Sequence, residues 1–102
     1  MYIVGIDIGK HNHEATLIDQ EGNILGKSLR FTNRFSGFQR LMDFLKAHVA
    51  DLSQVEIGLE ATGHYWLPLY GHLRNAGFPV RVINPVQSDA LRNLYIRQTK
   101  ND

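Results

Sequence analysis

The sequence contains no cysteine, which excludes a disulfide scaffold and a thiolate metal site and fits a reducing compartment. It also lacks any apolar run close to the roughly 18 residues that a membrane helix needs, and no basic segment leads into an apolar core at its start. With 102 residues, 43% of them hydrophobic, the chain has the size of one globular domain. We therefore expect a soluble, cytoplasmic single domain.

A strong excess of one charge is absent as well, because the formal net charge is only +1. The charges are nevertheless unevenly distributed along the chain. The stretch from Arg74 to Lys100 contains five basic residues and one acid, Asp89. This local basicity is compatible with contacts to nucleic-acid phosphates and equally with a solvated helix face.

Three β-strands are predicted at the start of the chain. Residues 2–8 are rich in β-branched and aromatic types, residues 13–19 form a second candidate, and residues 24–31 form a third with less clearly separated faces. Gly9 and Gly22 supply the turns between them. These segments predict an antiparallel meander.

Helices and strands alternate in the remainder. Apolar residues recur at helical spacing between positions 38 and 49, and Ser36 with Gln39 predicts a capping box. A strand at 55–61, a helix at 62–77 with Pro68 in its early part, and a strand at 78–84 follow. Asn84 and Pro85 then predict the start of a last helix.

The resulting order, βββαβαβα, predicts an α/β fold with a mixed sheet and helices on the sheet faces. In such a sheet the first and fourth strands can be neighbours, which would bring Asp7 beside Glu60. Taken alone, Asp7 could cap a turn, and Glu60 could lie near the positive end of the next helix. Buried or half-buried carboxylates this close, however, repel each other and persist only if one takes a proton or a cation neutralises them. Such oxygen ligands suit Mg²⁺ or Mn²⁺.

Three stretches together resemble a known family, namely "GIDIGKHNHEATLID" at 5–19, "LEATGHYW" at 59–66 and "RQTKND" at 97–102. They are similar to the N-terminal catalytic domain of the insertion-sequence-110 family. The members of this family are DEDD-type transposases with a RuvC-like, RNase H-like fold. Pilin-gene invertases are similar too. The resemblance implies that Asp7, Glu60 and Asp102 are the first three catalytic acids, and that they hold two Mg²⁺ or Mn²⁺ ions.

The family pattern places its fourth acid three positions after the third, in a stretch like K-T-D-x-x-D-A. Lys100, Asn101 and Asp102 match its beginning, with asparagine in place of threonine, and the sequence then stops. The resemblance therefore implies that residues 1–102 are the N-terminal catalytic domain of a longer transposase, and that this fragment alone is inactive. The missing C-terminal domain of the family carries a serine implicated in strand exchange.

The resemblance also implies partners and an activity. The expected activity is metal-dependent cleavage and strand transfer of the DNA of an insertion sequence. DNA, a structured guide RNA, the missing C-terminal domain and further copies of the protein are the expected partners, with no membrane. For phosphate contacts the candidates are Lys10, Arg97, Lys100 and His64, each of which has an ordinary solvated alternative.

Two further features are ambiguous. The contiguous "HNH" at 11–13 lacks a third metal ligand, so we interpret His11 and His13 as exposed polar residues at a strand start. The aromatic residues Tyr65, Trp66 and Tyr70 could stack on bases or belong to the core.

Other functions fit parts of the pattern. A Holliday-junction-resolvase-like nuclease would share the fold and the acids. A non-catalytic nucleic-acid-binding module would keep the fold without a working site. An actin-like ATPase fragment would explain "GIDIG" as a phosphate loop, but the chain has neither the length nor a second such loop.

Overall fold

The computed structural model describes residues 1–83, in which five strands form one sheet. The strands are β1 (Tyr2–Asp7), β2 (Asn12–Ile18), β3 (Leu29–Thr32), β4 (Val55–Glu60) and β5 (Val80–Ile83). The α-helices are α1 (Phe35–His48) and α2 (Leu67–Asn75), and a short 3-10 helix (Leu52–Gln54) precedes β4. Neither α-helix of this part is long and apolar enough to cross a bilayer. The predicted last helix lies outside the described residues.

The sheet is mixed, with the strand order β3-β2-β1-β4-β5. The first three strands pair antiparallel, as their short connections require, whereas β1 with β4 and β4 with β5 pair parallel. The predicted mixed α/β sheet is confirmed, and so is the predicted pairing of the first strand with the fourth.

The core lies on one face of this sheet. Along the two central strands Val4, Ile6, Ile57 and Leu59 are buried and alternate with more exposed residues, as the two-residue period of a strand demands. They belong to a single cluster with the buried residues of both helices, Phe38, Leu41, Met42, Leu45, Leu69 and Leu73. Both described helices therefore cover the same face of the sheet, whereas the prediction had placed helices on its faces without assigning them to one side. Within residues 1–83 no helix covers the second face.

Two predicted elements start later than expected. The third strand was predicted at 24–31, but β3 begins at Leu29, because Gly26 has a φ of +70° and Ile24 makes only an isolated bridge with Ile18. The second helix was predicted from residue 62, but α2 begins at Leu67 and residues 61–66 form a turn-containing loop. Pro68 lies in the first turn of α2, as predicted.

The predicted capping box of the first helix is wrong. The N-cap of α1 is Arg34, its side chain makes no capping hydrogen bond, and Ser36 lies inside the first turn. Close packing fixes this helix start instead, since a Cβ on Gly37 would lie 2.0 Å from the carbonyl oxygen of Thr32. The first turn of α1 thus rests directly on the end of β3.

The one-sided core makes a testable difference between two isoleucines of the central strands. Ile57 is fully buried and Ile3, on the second face, is 46% exposed. We expect Ile57→Ala to lower the free energy of unfolding by about 2–5 kcal/mol, because it leaves a cavity. Ile3→Ala should cost less, on the order of 1 kcal/mol, since about half of that side chain is in contact with water. Urea denaturation of both variants checks this, and equal losses would contradict the one-sided core.

Candidate functional site

The site is built where the two central parallel strands end. Strands β1 and β4 pair in register from Tyr2 opposite Val55 to Ile6 opposite Leu59. Both strands end one residue further, at Asp7 and Glu60. Opposite residues of paired strands project to the same face, so the two acids lie side by side on the face away from the helices. Asp7 is exposed and Glu60 is half-buried.

A further acid, Glu14, which was not predicted, lies beside this pair. In the antiparallel hairpin Glu14 lies opposite Asp7, and Arg30 lies opposite Glu14. The four side chains therefore form one row across the second face, in the order Arg30, Glu14, Asp7, Glu60. The sequence contained a signal for this pairing. A hairpin with residues 8–13 in and around its turn brings position 7 opposite position 14.

A shallow cavity of about 200 Å³ opens between β1 and β2 at this end of the sheet. Its lining consists of Asp7, Ile8, Gly9, Asn12, His13, Glu14 and Arg30. Glu60 lies on the other side of Asp7 and does not line it. Of the acids, Asp7 and Glu14 thus border a shallow polar surface that is open to solvent.

The chemistry of Asp7 and Glu60 fits a hard divalent cation, since carboxylate oxygens are the ligands that Mg²⁺ and Mn²⁺ prefer. Among the residues of the described range, however, no group of three His, Asp or Glu side chains is arranged to hold a metal ion. Asp7 and Glu60 by themselves would therefore be an incomplete set of ligands for such an ion. Asp102, the third predicted acid, lies outside the described residues, as do Arg97 and Lys100.

His13 is not the exposed strand-start residue that we predicted. It is only 1% exposed, whereas His11 precedes β2 and is exposed. The reason is strand alternation, because His13 lies on the same face as the buried Ala15 and Leu17. Its ring meets the ring of Phe31 edge-on, with 5.4 Å between the centroids.

The His13 ring is neutral and holds the loop that follows Asp7. Its Nδ1 accepts a hydrogen bond from the backbone N–H of Gly9, at 3.2 Å, so the ring proton is on Nε2. Burial lowers the pKa of His13, while the Asn33 side chain and the charge of Asp7 act in the opposite direction. The buried Nε2 has no hydrogen-bond partner within the described chain.

The loops after the two acids present the other candidate contacts. Lys10 is exposed in the loop 8–11, and His64 is exposed in the loop 61–66. The His64 ring contacts that of Tyr65, with 4.7 Å between centroids, and Trp66 Nε1 donates to the carbonyl of Gly63 at 3.0 Å. Both loops leave the same edge of the sheet, so the structure brings Lys10 and His64 to the same end as the acids.

The geometry defines an α/β domain with paired acids at the ends of its central strands. A sequence model of the DEDD transposases of the IS110 type, DEDD_Tnp_IS110, described as a transposase, matches residues 4–102. The chain belongs to the IS110 transposase family.

Curated relatives agree with this family. The chain is 30% identical over 99 residues to the pilin gene-inverting protein of Moraxella bovis. This alignment covers 97% of the chain and 30% of the Moraxella protein. The chain is 29% identical over 99 residues to the mini-circle putative transposase for IS117 of Streptomyces coelicolor, covering 96% of this chain and 23% of that protein. The chain thus spans less than a third of these relatives.

Solved structures confirm the RuvC-like fold. The T. thermophilus RuvC in complex with a Holliday junction substrate matches with a TM-score of 0.59 and 15% identity, over 85% of this chain and 68% of that one. A ROK family protein from Streptococcus pneumoniae in complex with sucrose matches with a TM-score of 0.61 and 19% identity, over 94% and 38%. Since proteins with such different ligands share the fold, the fold alone does not select a substrate.

Burial of His13 gives the folding stability a defined pH dependence. Because the folded pKa lies below the ordinary value of 6.5, the unfolded chain binds more protons between these two pKa values, and stability falls as the pH drops through 6.5. We expect His13→Gln to lose this component of the slope as the pH falls through 6.5, and the exposed-site control His11→Gln to keep it. Urea denaturation on both sides of this pH measures the effect. An unchanged slope in His13→Gln would contradict the assignment.

Proposed function

We propose that residues 1–102 are the N-terminal catalytic domain of a longer transposase, which cleaves and transfers DNA strands with Mg²⁺ or Mn²⁺. The observation that carries this proposal is the register of β1 with β4, which places Asp7 next to Glu60 although 52 residues lie between them in the sequence. Family membership supports the activity, and the much greater length of the curated relatives supports a missing C-terminal domain.

The two carboxylates are suited to a metal site because their backbones are held firmly. Adjacent strands of a sheet lie about 4.8 Å apart, and paired metal ions in phosphodiester chemistry are about 3.5–4 Å apart. The buried neighbours Ile6 and Leu59 anchor the two strand ends in the core. Glu14 adds a third negative charge in the same row, but Arg30 lies opposite it and offsets that charge, so the attraction for cations is centred on Asp7 and Glu60.

Divalent ions held at Asp7, Glu60 and Asp102 would polarise the scissile phosphate and the attacking oxygen. The role of the chain itself is to hold the ions and to orient the DNA backbone. Lys10 and His64, exposed in the loops after the two acids, are suited to contact phosphates. Arg97 and Lys100 stay predictions for the same role.

DNA is the proposed substrate, whereas the guide RNA and the homo-oligomer rest on the family resemblance alone and stay predictions. A resolvase-like nuclease would use the same acids on a branched DNA and would leave no transferred strand. A non-catalytic binding module would bind DNA without any need for the carboxylates. The products formed by the complete protein separate these three activities.

Removal of one acid tests catalysis directly. In the complete transposase we expect Asp7→Asn to lower divalent-dependent strand cleavage by about 100-fold or more, because a metal site contributes several kcal/mol to the barrier. Asp43→Asn is the matched control, since Asp43 is exposed on α1. Cleavage of labelled DNA, with the fold checked by circular dichroism, measures both. Wild-type cleavage by Asp7→Asn would refute the catalytic role and favour the binding module.

Lys10 allows a separate test of the DNA contact. We expect Lys10→Ala to weaken DNA binding irrespective of sequence and to reduce the slope of log affinity against log salt by about 0.9, the loss of one phosphate contact. Lys46→Ala, at an exposed position of α1, should leave the slope unchanged. Fluorescence anisotropy at several salt concentrations measures the slopes. Equal slopes for all three proteins would remove Lys10 from the interface.

A further inference from the structure

Asn33 occupies a junction that the proposed chemistry does not use. It lies between the last residue of β3 and the N-cap of α1, at the sheet edge where Asp7 and Glu60 also lie. It is half-buried, and its Oδ1 is fully buried. A polar side chain in such a place must satisfy its donors within the protein, because burial without hydrogen bonds is costly.

Asn33 holds the loop that follows Asp7. Its backbone N–H donates to the carbonyl of His11 at 2.8 Å. Its side-chain Nδ2 also approaches the carbonyl of Lys10, at 3.5 Å. The same loop is fixed from the β2 side by the hydrogen bond from Gly9 N–H to His13 Nδ1.

Asn33 also holds the loop that follows Glu60. Its Nδ2 donates to the carbonyl of Tyr65, at 3.1 Å. The two protons of one amide group are thus directed to the carbonyls of Lys10 and Tyr65, in two loops that are far apart in the sequence. Because both acceptors are backbone carbonyls, this connection depends on the geometry of the loops and on Asn33 rather than on the loop side chains.

We propose that Asn33 is a positioning residue, which sets the spacing of the Asp7 and Glu60 carboxylates by holding the loops 8–11 and 61–66 in one arrangement. The proposal deepens the metal-binding role proposed above and rests on it for its functional consequence. Each loop starts directly after one of the acids, so a displaced loop alters the backbone angle at which that acid leaves its strand. Partners of this kind around metal ligands orient the ligands and tune the affinity of the site.

His13 extends this junction into the core. Its buried Nε2 carries a proton, and the buried Oδ1 of Asn33 is an acceptor. The Asn33 side chain acts on the His13 ring as a hydrogen-bonding partner, although neither atom makes a bond of good geometry within the described residues. The two unpaired atoms are therefore complementary donor and acceptor. Through the Nδ1 bond to Gly9, His13 acts on the same loop as Asn33 does.

The first test measures the mobility of both loops by ¹⁵N relaxation of the 102-residue chain. We expect Asn33→Ala to lower the backbone order parameters of residues 61–66 from about 0.85 to below about 0.6. Those of residues 8–11 should fall by less, because the backbone N–H of Asn33 still donates to the carbonyl of His11 when the side-chain approach to Lys10 is lost. Asn75→Ala, at an exposed position in the last turn of α2, should leave both loops unchanged. Unchanged order parameters in either loop of Asn33→Ala would overturn the proposal.

The second test measures the Mn²⁺ affinity of the complete transposase by calorimetry, at a temperature where every variant is fully folded. We expect Asn33→Ala to weaken binding on the order of 10-fold, as loss of an outer partner of a metal ligand does. Asn33→Asp is the more stringent variant. Its added negative charge alone would tighten cation binding, whereas loss of both amide protons should loosen the loops, and we expect the second effect to weaken Mn²⁺ binding overall. It also serves if the alanine variant fails to fold.

The outcomes separate the two proposals. Absence of Mn²⁺ binding in the wild-type complete transposase, with both loops loosened by Asn33→Ala, would refute the metal site and retain the coupling of the loops. Wild-type binding with equal or tighter binding by Asn33→Ala and Asn33→Asp would overturn the positioning role and retain the metal site. Weaker binding by both variants, beside an unchanged Asn75→Ala, supports both.

Discussion

The in-register parallel pairing of β1 with β4 is the constraint on which the rest of the site depends. It aligns Val4 with Ile57 and Ile6 with Leu59 on the buried face. The same alignment continues at the strand ends to Asp7 and Glu60. Because side chains alternate with a period of two, a slip of one residue would transfer a buried pair to the opposite face. The packing of the core therefore fixes the relation of the two acids.

One face of the sheet carries the core, and the other carries the polar row of the candidate site. The helices α1 and α2 bury the apolar residues of the first face, while the second face carries the row of Arg30, Glu14, Asp7 and Glu60. At the boundary between the two, His13 is polar but belongs to the buried face, and its Nδ1 holds the backbone next to the acids. The core and the site thus meet in the loops at the carboxyl ends of β1 and β4.

Much of this architecture was predictable, because it follows from local patterns. The period of the apolar residues identified the strands and the first helix, and the spacing of strands and helices identified the mixed sheet. The paired acids were predictable from the strand order. The late start of α2 was missed although local signals for it exist, since Gly63 has a φ of +60° and Pro68 lies at the first turn of the helix. The bond of Trp66 Nε1 to the carbonyl of Gly63, which stabilises the turn, is not visible in the sequence.

The sequence by itself determined the family, the strand-rich first part and the two acids Asp7 and Glu60, because motifs and periodicity are properties of neighbouring residues. Only the tertiary structure decided which polar residues are buried and which distant ones meet. It buried His13, placed Glu14 beside Asp7, and brought the Asn33 amide to the carbonyl of Tyr65. These relations depend on strand register and on the packing of both helices against one face, which no local pattern of residues specifies.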